Sequence, residues 1–78
     1  MRFLLVTLSD LLPSVITQIL SPTNSYCAIV VDEPEPAKNF IRSLGGSENL
    51  VYNFYDLKEC VENFHYDFIL CVADGRLI

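Results

Sequence analysis

The 78-residue chain is long enough for one domain only, and a domain of this size buries about 60–65% of the surface that its unfolded chain exposes. Hydrophobic residues make up 51% of the sequence and charged residues 19%, which excludes a disordered segment and favours a folded core. Ten acidic and five scattered basic residues give a formal charge of −5, so the chain lacks the basic stripe expected of a nucleic-acid-binding protein.

The N-terminal part of the sequence predicts a strand followed by a helix. Phe3 to Leu8 has the composition of a buried strand. Ser9 or Asp10 can then cap a helix, with Pro13 in its first turn. The apolar residues that follow at helical spacing are Leu11, Leu12, Val15, Ile16, Ile19 and Leu20. Because Asp10 and Pro13 interrupt the apolar segment, we expect it to be a first strand rather than a signal peptide.

A second strand and a second helix follow. Tyr26 to Val31 predicts the strand, and a helix begins after it near Pro34 or Pro36. Its expected apolar face consists of Ala37, Phe40, Ile41 and Leu44. Gly45-Gly46 should end this helix, since glycine readily adopts a left-handed backbone.

The C-terminal part predicts two more strands with a helix between them. Leu50 to Tyr52 is a short third strand, and Asp56 with Glu59 predicts a capping box for the third helix. Leu57, Cys60, Val61 and Phe64 form the apolar stripe of that helix. Phe68 to Val72 is apolar at every position, which is typical of a parallel strand buried on both faces.

The alternation of strands and helices predicts a three-layer α/β domain with a four-stranded, mostly parallel sheet. Right-handed crossovers leave two strand orders, 3-2-1-4 and 2-1-3-4. We favour 3-2-1-4, a Rossmann-like half domain, because the first strand is longer and more apolar than the third, as a central strand should be. Residues 1–78 then form one domain, which we expect to be the N-terminal part of a longer chain.

In the order 3-2-1-4 the ends of the first and fourth strands flank a crevice where ligands of such sheets bind. The residues that we expect to form its rim are Ser9, Asp10, Asp32, Asp74 and Arg76. Arg76 is a cation that could bind a phosphate or carboxylate with two hydrogen bonds. For Asp10 and Asp32, a helix cap and a solvated loop carboxylate are the simpler interpretations.

The sequence predicts neither a catalytic constellation nor a metal site, and it identifies no cofactor. The turn after the first strand, from Thr7 to Leu11, contains no glycine, which disfavours a dinucleotide site and excludes a P-loop. A receiver-type acidic pocket would need an aspartate at the end of the third strand, where Asn53 follows Tyr52 instead.

Three cysteines bear on the compartment. Cys27, Cys60 and Cys71 lie in apolar or helical patterns, and no two have the spacing of a zinc or redox motif. We expect all three to be reduced and buried, in a reducing compartment such as the cytoplasm. No apolar run approaches the length of a membrane span.

The last twelve residues, DFILCVADGRLI from Asp67 to Ile78, resemble the fourth-strand segment of formyltransferases that act on methionyl-tRNA or nucleotide-linked amino sugars. In that family an aspartate precedes an aliphatic strand, and a Gly-Arg turn follows it. Asp74 stands where the family often has an aromatic residue. Similar glycine-poor halves precede the catalytic regions of surface-polysaccharide transferases and methyltransferases. The family's catalytic residues lie downstream of this segment, so the resemblance supplies none here.

Two classes of function therefore remain open. In the first, the chain is an accessory module of a formyl-, methyl- or glycosyltransferase that binds a nucleotide or sugar nucleotide and is not catalytic alone. In the second, it is a non-enzymatic interaction or dimerisation module. A complete small regulatory protein is a third possibility. The expected partner is the remainder of a parent chain or a second copy, because three helices cannot cover both faces of a four-stranded sheet.

Overall fold

The computed structural model describes residues 2–18 and 25–73, and within them four parallel strands form one sheet. The strands are β1 (Arg2–Val6), β2 (Ser25–Val31), β3 (Val51–Asn53) and β4 (Phe68–Cys71). Their order across the sheet is β3-β2-β1-β4, and β1 pairs in parallel with both β2 and β4. The predicted α/β class and the preferred strand order are confirmed.

Helices pack on both faces of this sheet. The described helices are α1 (Leu12–Gln18), α2 (Pro34–Ser43) and α3 (Leu57–Asn63). Leu12 of α1 and Ile41 of α2 belong to a core on one face, whereas Cys60 of α3 belongs to a second core on the other face. The three-layer arrangement follows, with two helices on one side and one on the other. No helix within residues 2–18 and 25–73 has the length and hydropathy to cross a membrane.

A register shift in β2 explains how neighbouring residues reach the same core. Phe3 pairs with Tyr26 and Leu4 with Ala28, so Cys27 is an extra residue between the two pairs. Strict alternation would place Cys27 and Ala28 on opposite faces, yet both belong to the core beneath α3. The Cys27 thiol donates a hydrogen bond of 3.3 Å to the carbonyl oxygen of Phe3, which satisfies the buried sulfur.

The end of α2 follows the predicted glycine signal. Gly45 has a φ of +80°, and its N–H donates to the carbonyl of Arg42 while that of Gly46 donates to the carbonyl of Ile41. These two bonds form a Schellman motif. Leu44, predicted on the apolar face, is 57% exposed because it lies at the helix cap, where the chain turns away from the core.

Helix α2 begins at Pro34, as predicted, whereas the predicted caps of α1 and α3 are wrong in detail. Helix α1 begins at Leu12, one residue after the turn formed by residues 9–11, so neither Ser9 nor Asp10 is at the N-cap position. Asp56 directly precedes α3, but its side chain makes no capping hydrogen bond. The reason is a 3₁₀ turn (Phe54–Asp56) that runs into α3 and gives Asp56 a turn-like ψ of 3° instead of an extended one.

Strand β4 departs most from expectation. It forms the edge of the described sheet, and Phe68 and Ile69 are 41% and 45% exposed. The prediction of a strand buried on both faces is therefore wrong: in the described part of the chain Leu70 packs against the core beneath α1 and α2, but Phe68, Ile69 and Cys71 are exposed. The exposure of Cys71 corrects the expectation of three buried cysteines, whereas Cys27 and Cys60 are buried.

Candidate functional site

All four strands run in the same direction, so their carboxyl ends meet at one edge of the sheet. Ser9 and Asp10 follow β1 there, and Asp32 directly follows β2. The structure thus places three of the five predicted rim residues at the same edge. The other two, Asp74 and Arg76, lie outside the described residues.

Ser9 and Asp32 are in direct contact. The backbone N–H of Ser9 donates a 2.8 Å hydrogen bond to Oδ1 of Asp32. This bond is the main cause that lowers the pKa of the Asp32 carboxyl below its usual range, while partial burial opposes it. The Ser9 hydroxyl and the backbone N–H of Glu33 lower the pKa further. The hydrogen bond from Ser9 ties the Asp32 carboxylate to the turn between β1 and α1.

Asn53, which is not among the five predicted rim residues, joins this cluster from the end of β3. Its Nδ2 donates to the carbonyl oxygen of Asp32 over 3.1 Å. Its Oδ1 accepts the backbone N–H of Tyr55 at 2.9 Å, so Asn53 is the side-chain cap of the 3₁₀ turn that leads into α3. An asparagine at the end of a predicted strand and before a helix was the available signal.

Thr7 is a residue that sequence reasoning missed. It is fully buried, and its Oγ1 donates a 2.9 Å hydrogen bond to the carbonyl of Val72, beyond the end of β4. Its backbone N–H donates to the carbonyl of Val30 in β2. Thr7 therefore links β1 to both neighbouring strands at the carboxyl edge. A lone polar residue near the end of an apolar strand was the signal for this role.

The geometry of this edge bears directly on which ligands it can accept. In dinucleotide-binding folds, backbone N–H groups of the first βα turn face the phosphates. Here the Ser9 N–H already donates to a carboxylate, whose negative charge disfavours an incoming phosphate. Within residues 2–18 and 25–73, no group of three or more potential ligands is placed to hold a metal ion. The arrangement stabilises the loops at this edge.

A second candidate surface is the free side of β4. Phe68 stacks on Phe3 of β1 with ring centroids 5.3 Å apart and planes 13° from parallel. Phe3 belongs to the core beneath α1 and α2, so Phe68 extends that apolar face outward. Ile69 pairs with Leu4, which belongs to the core beneath α3. Both faces of β4 therefore expose apolar side chains at an edge of the sheet that the described residues form.

Comparison with protein-family models, curated proteins and solved structures gives no match for this chain.

Proposed function

We propose that this protein is a non-enzymatic association module that pairs through β4 with a second copy of itself. The observation that carries the proposal is an edge strand that is apolar on both faces and exposed at Phe68 and Ile69. Exposed apolar strands at a sheet edge are unusual in monomers, because their free backbone groups act as a template for another strand.

The hydrogen bonds of β4 indicate which backbone groups are available. The N–H of Val72, directly after β4, donates to the carbonyl of Val6 over 2.9 Å, so this position faces β1. Since alternate residues of a strand direct their N–H and C=O groups to opposite sides, Ile69 and Cys71 direct theirs away from β1. An antiparallel pair with its two-fold axis at Leu70 would use these groups of both copies.

Such a pair would also cover the apolar faces. A two-fold axis perpendicular to the sheet keeps the α1 and α2 face of both copies on the same side. Leu70 would then meet its counterpart on that face with Phe68 opposite Val72, and Ile69 would lie opposite Cys71 on the α3 face. A polar strand from another protein would extend the sheet but leave these side chains without an apolar contact, whereas a second copy brings the same apolar side chains. This difference favours a second copy.

The distribution of charge permits the contact. Residues 68–73 contain no charged side chain, although each copy carries a formal charge of −5. The like charges therefore lie away from the paired strands, and salt weakens their remaining repulsion. Association should strengthen as the ionic strength rises.

Sedimentation velocity over a wide range of protein concentrations tests this proposal. We expect the wild-type protein to form dimers, and Ile69→Lys to remain monomeric because a lysine at the edge is a common barrier to strand pairing. Leu44→Lys is the matched control, since Leu44 is more exposed than Ile69 but lies at the end of α2. A monomeric wild type, or an equal loss of dimer in both variants, would contradict the proposal.

A second candidate is the nucleotide- or sugar-nucleotide-binding accessory module of a transferase, to which the resemblance of the last twelve residues points. It is supported by the placement of Ser9 and Asp32 at the carboxyl edge, where ligands of such sheets bind. Titration with nucleotides and nucleotide sugars, followed by amide NMR, tests it. Saturable shifts at Ser9, Asp10, Asp32, Asp74 and Arg76 would support binding, and unchanged signals would reject it.

For the location we propose a reducing compartment such as the cytoplasm. Cys71 has an exposed free thiol on β4, and an oxidising compartment would favour intermolecular disulfides at that position. Non-reducing electrophoresis of protein taken from its native cells, with thiols blocked at lysis, should show no disulfide-linked species. A disulfide-linked dimer in that sample would argue against this location.

A further inference from the structure

A cavity of about 280 Å³ lies between β3 and α3, far along the sheet from β4. Two aromatic rings form part of its wall: Tyr52 and Phe64 meet edge to face with centroids 5.7 Å apart. Asp56, Glu59 and Asn63 supply the polar part of the lining, and the buried Cys60 completes it. The volume is close to the lower end of the range for small-molecule sites.

The two carboxylates of this cavity have no cationic partner in the described part of the chain. The one ion pair among those residues joins Arg42 and Glu48, which lie on another part of the molecule. Asp56 precedes α3 but does not cap it, so its carboxylate has no structural hydrogen bond there. Lys58 is on the same helix but does not line the cavity.

The thiol at the cavity wall responds to this negative field. Burial is the main cause that raises the pKa of Cys60, and the charges of Asp56 and Glu59 raise it further. Cys60 is therefore a protonated, unreactive group, and the chemistry available in the cavity is that of a negatively charged pocket with aromatic walls.

We propose that this cavity binds an organic ammonium group. A quaternary or primary ammonium would place its charge near the carboxylates of Asp56 and Glu59 and its carbon atoms against Tyr52 and Phe64. Aromatic faces attract such cations, and aromatic cages are a common means of binding quaternary ammonium. The ammonium could belong to a free small molecule or to the side chain of a lysine. The cavity shares no residue with β4, so its ligand binding can be tested independently of dimerisation.

NMR titration of the full chain with three small probes tests the proposal. Choline represents a free quaternary ammonium, butylammonium represents a lysine side chain, and 3,3-dimethyl-1-butanol is the uncharged carbon analogue of choline. We expect saturable shifts of amides at residues 52 and 56–64 with a cation, and none with the alcohol. Whichever cation binds more tightly identifies the source of the ammonium group.

Two isosteric variants on α3 provide the matched comparison. Glu59→Gln removes a charge from the cavity and should weaken binding about two- to fivefold, the usual range for one such interaction. Glu62→Gln removes the same charge from an exposed position outside the cavity lining and should leave binding unchanged. Equal weakening by both variants, equal shifts with the alcohol, or no saturable shift with either cation would overturn the proposal.

Discussion

Among the strands that the structure describes, β3 and β4 form the two edges of the sheet, and they differ in length and burial. Strand β3 has three residues, lies between two 3₁₀ turns, and begins with Val51, which is only 5% exposed. Strand β4 has four apolar residues, none of them fully buried. A short edge strand with its ends fixed offers little to another chain, whereas an apolar and uncovered one invites pairing. Apolar sequence alone therefore does not indicate burial at a sheet edge.

The connections of the chain explain this difference. Helix α2 precedes β3 and packs beside it, which buries Val51 in the core that contains Ala37 and Ile41. On the opposite face, Tyr52 packs against Phe64. Strand β4 follows α3, whose buried Cys60 packs over β1 and β2. In the part of the chain that the structure describes, no further helix follows β4 to cover it.

The largest expected effect is on the free energy of unfolding when an aspartate is introduced into each edge strand in turn. Val51→Asp buries an unpaired charge in β3 and should lower the free energy of unfolding by at least about 3 kcal/mol. This loss is severe for a chain whose total stability is about 4–12 kcal/mol. Ile69→Asp, on the exposed β4, should cost about 1 kcal/mol or less. Urea unfolding followed by circular dichroism measures both, and similar losses would remove the distinction between the edges.

The next effect concerns how the β3 edge is fixed. Asn53→Ala removes the cap of the 3₁₀ turn and the hydrogen bond to the carbonyl of Asp32. We expect a loss of about 1–2 kcal/mol in the free energy of unfolding. Asn49→Ala, an exposed asparagine before β3, is the control and should change stability by less than about 0.5 kcal/mol. If both variants behave alike, Asn53 does not fix the edge.

These residues also show how far the sequence could be interpreted. The strand order and the end of α2 were predictable because they depend on local patterns: strand length, helical periodicity and Gly45-Gly46. The exposure of β4 was not, because it depends on which helices pack beside it. The cap at Asn53 in place of Asp56 depends on an intervening 3₁₀ turn that no spacing indicates. At the candidate site the proximity of Ser9 and Asp32 followed from the topology, but the direct hydrogen bond between them required the structure.

A smaller effect tests how β4 is attached to the sheet. Phe68→Leu keeps an apolar side chain but removes the stacked contact with Phe3. Aromatic pairs contribute about 0.5–1.5 kcal/mol beyond their buried area, so we expect a loss of about 1 kcal/mol. Tyr55→Leu, at a residue that is 96% exposed, should have almost no effect. Unfolding should be measured on dilute protein, where association does not contribute. An unchanged Phe68→Leu variant would mean that the backbone ladder alone holds β4.

The smallest effect is the pH dependence that Asp32, directly after β2, gives to the free energy of unfolding. Hydrogen bonds lower the pKa of its carboxyl in the folded protein, so the unfolded chain binds the proton more readily. Its contribution is therefore fully present above the unfolded pKa, near 4, and is lost as the pH falls through the folded value. Because this carboxyl is largely exposed, we expect Asp32→Asn to cost under about 1 kcal/mol at pH 7. That difference should shrink toward zero in acid. The neighbouring Glu33→Gln variant controls for the loss of a charge alone. If the loss of stability in Asp32→Asn stays constant from pH 7 to acid, the Ser9 hydrogen bond does not depend on the ionised carboxylate.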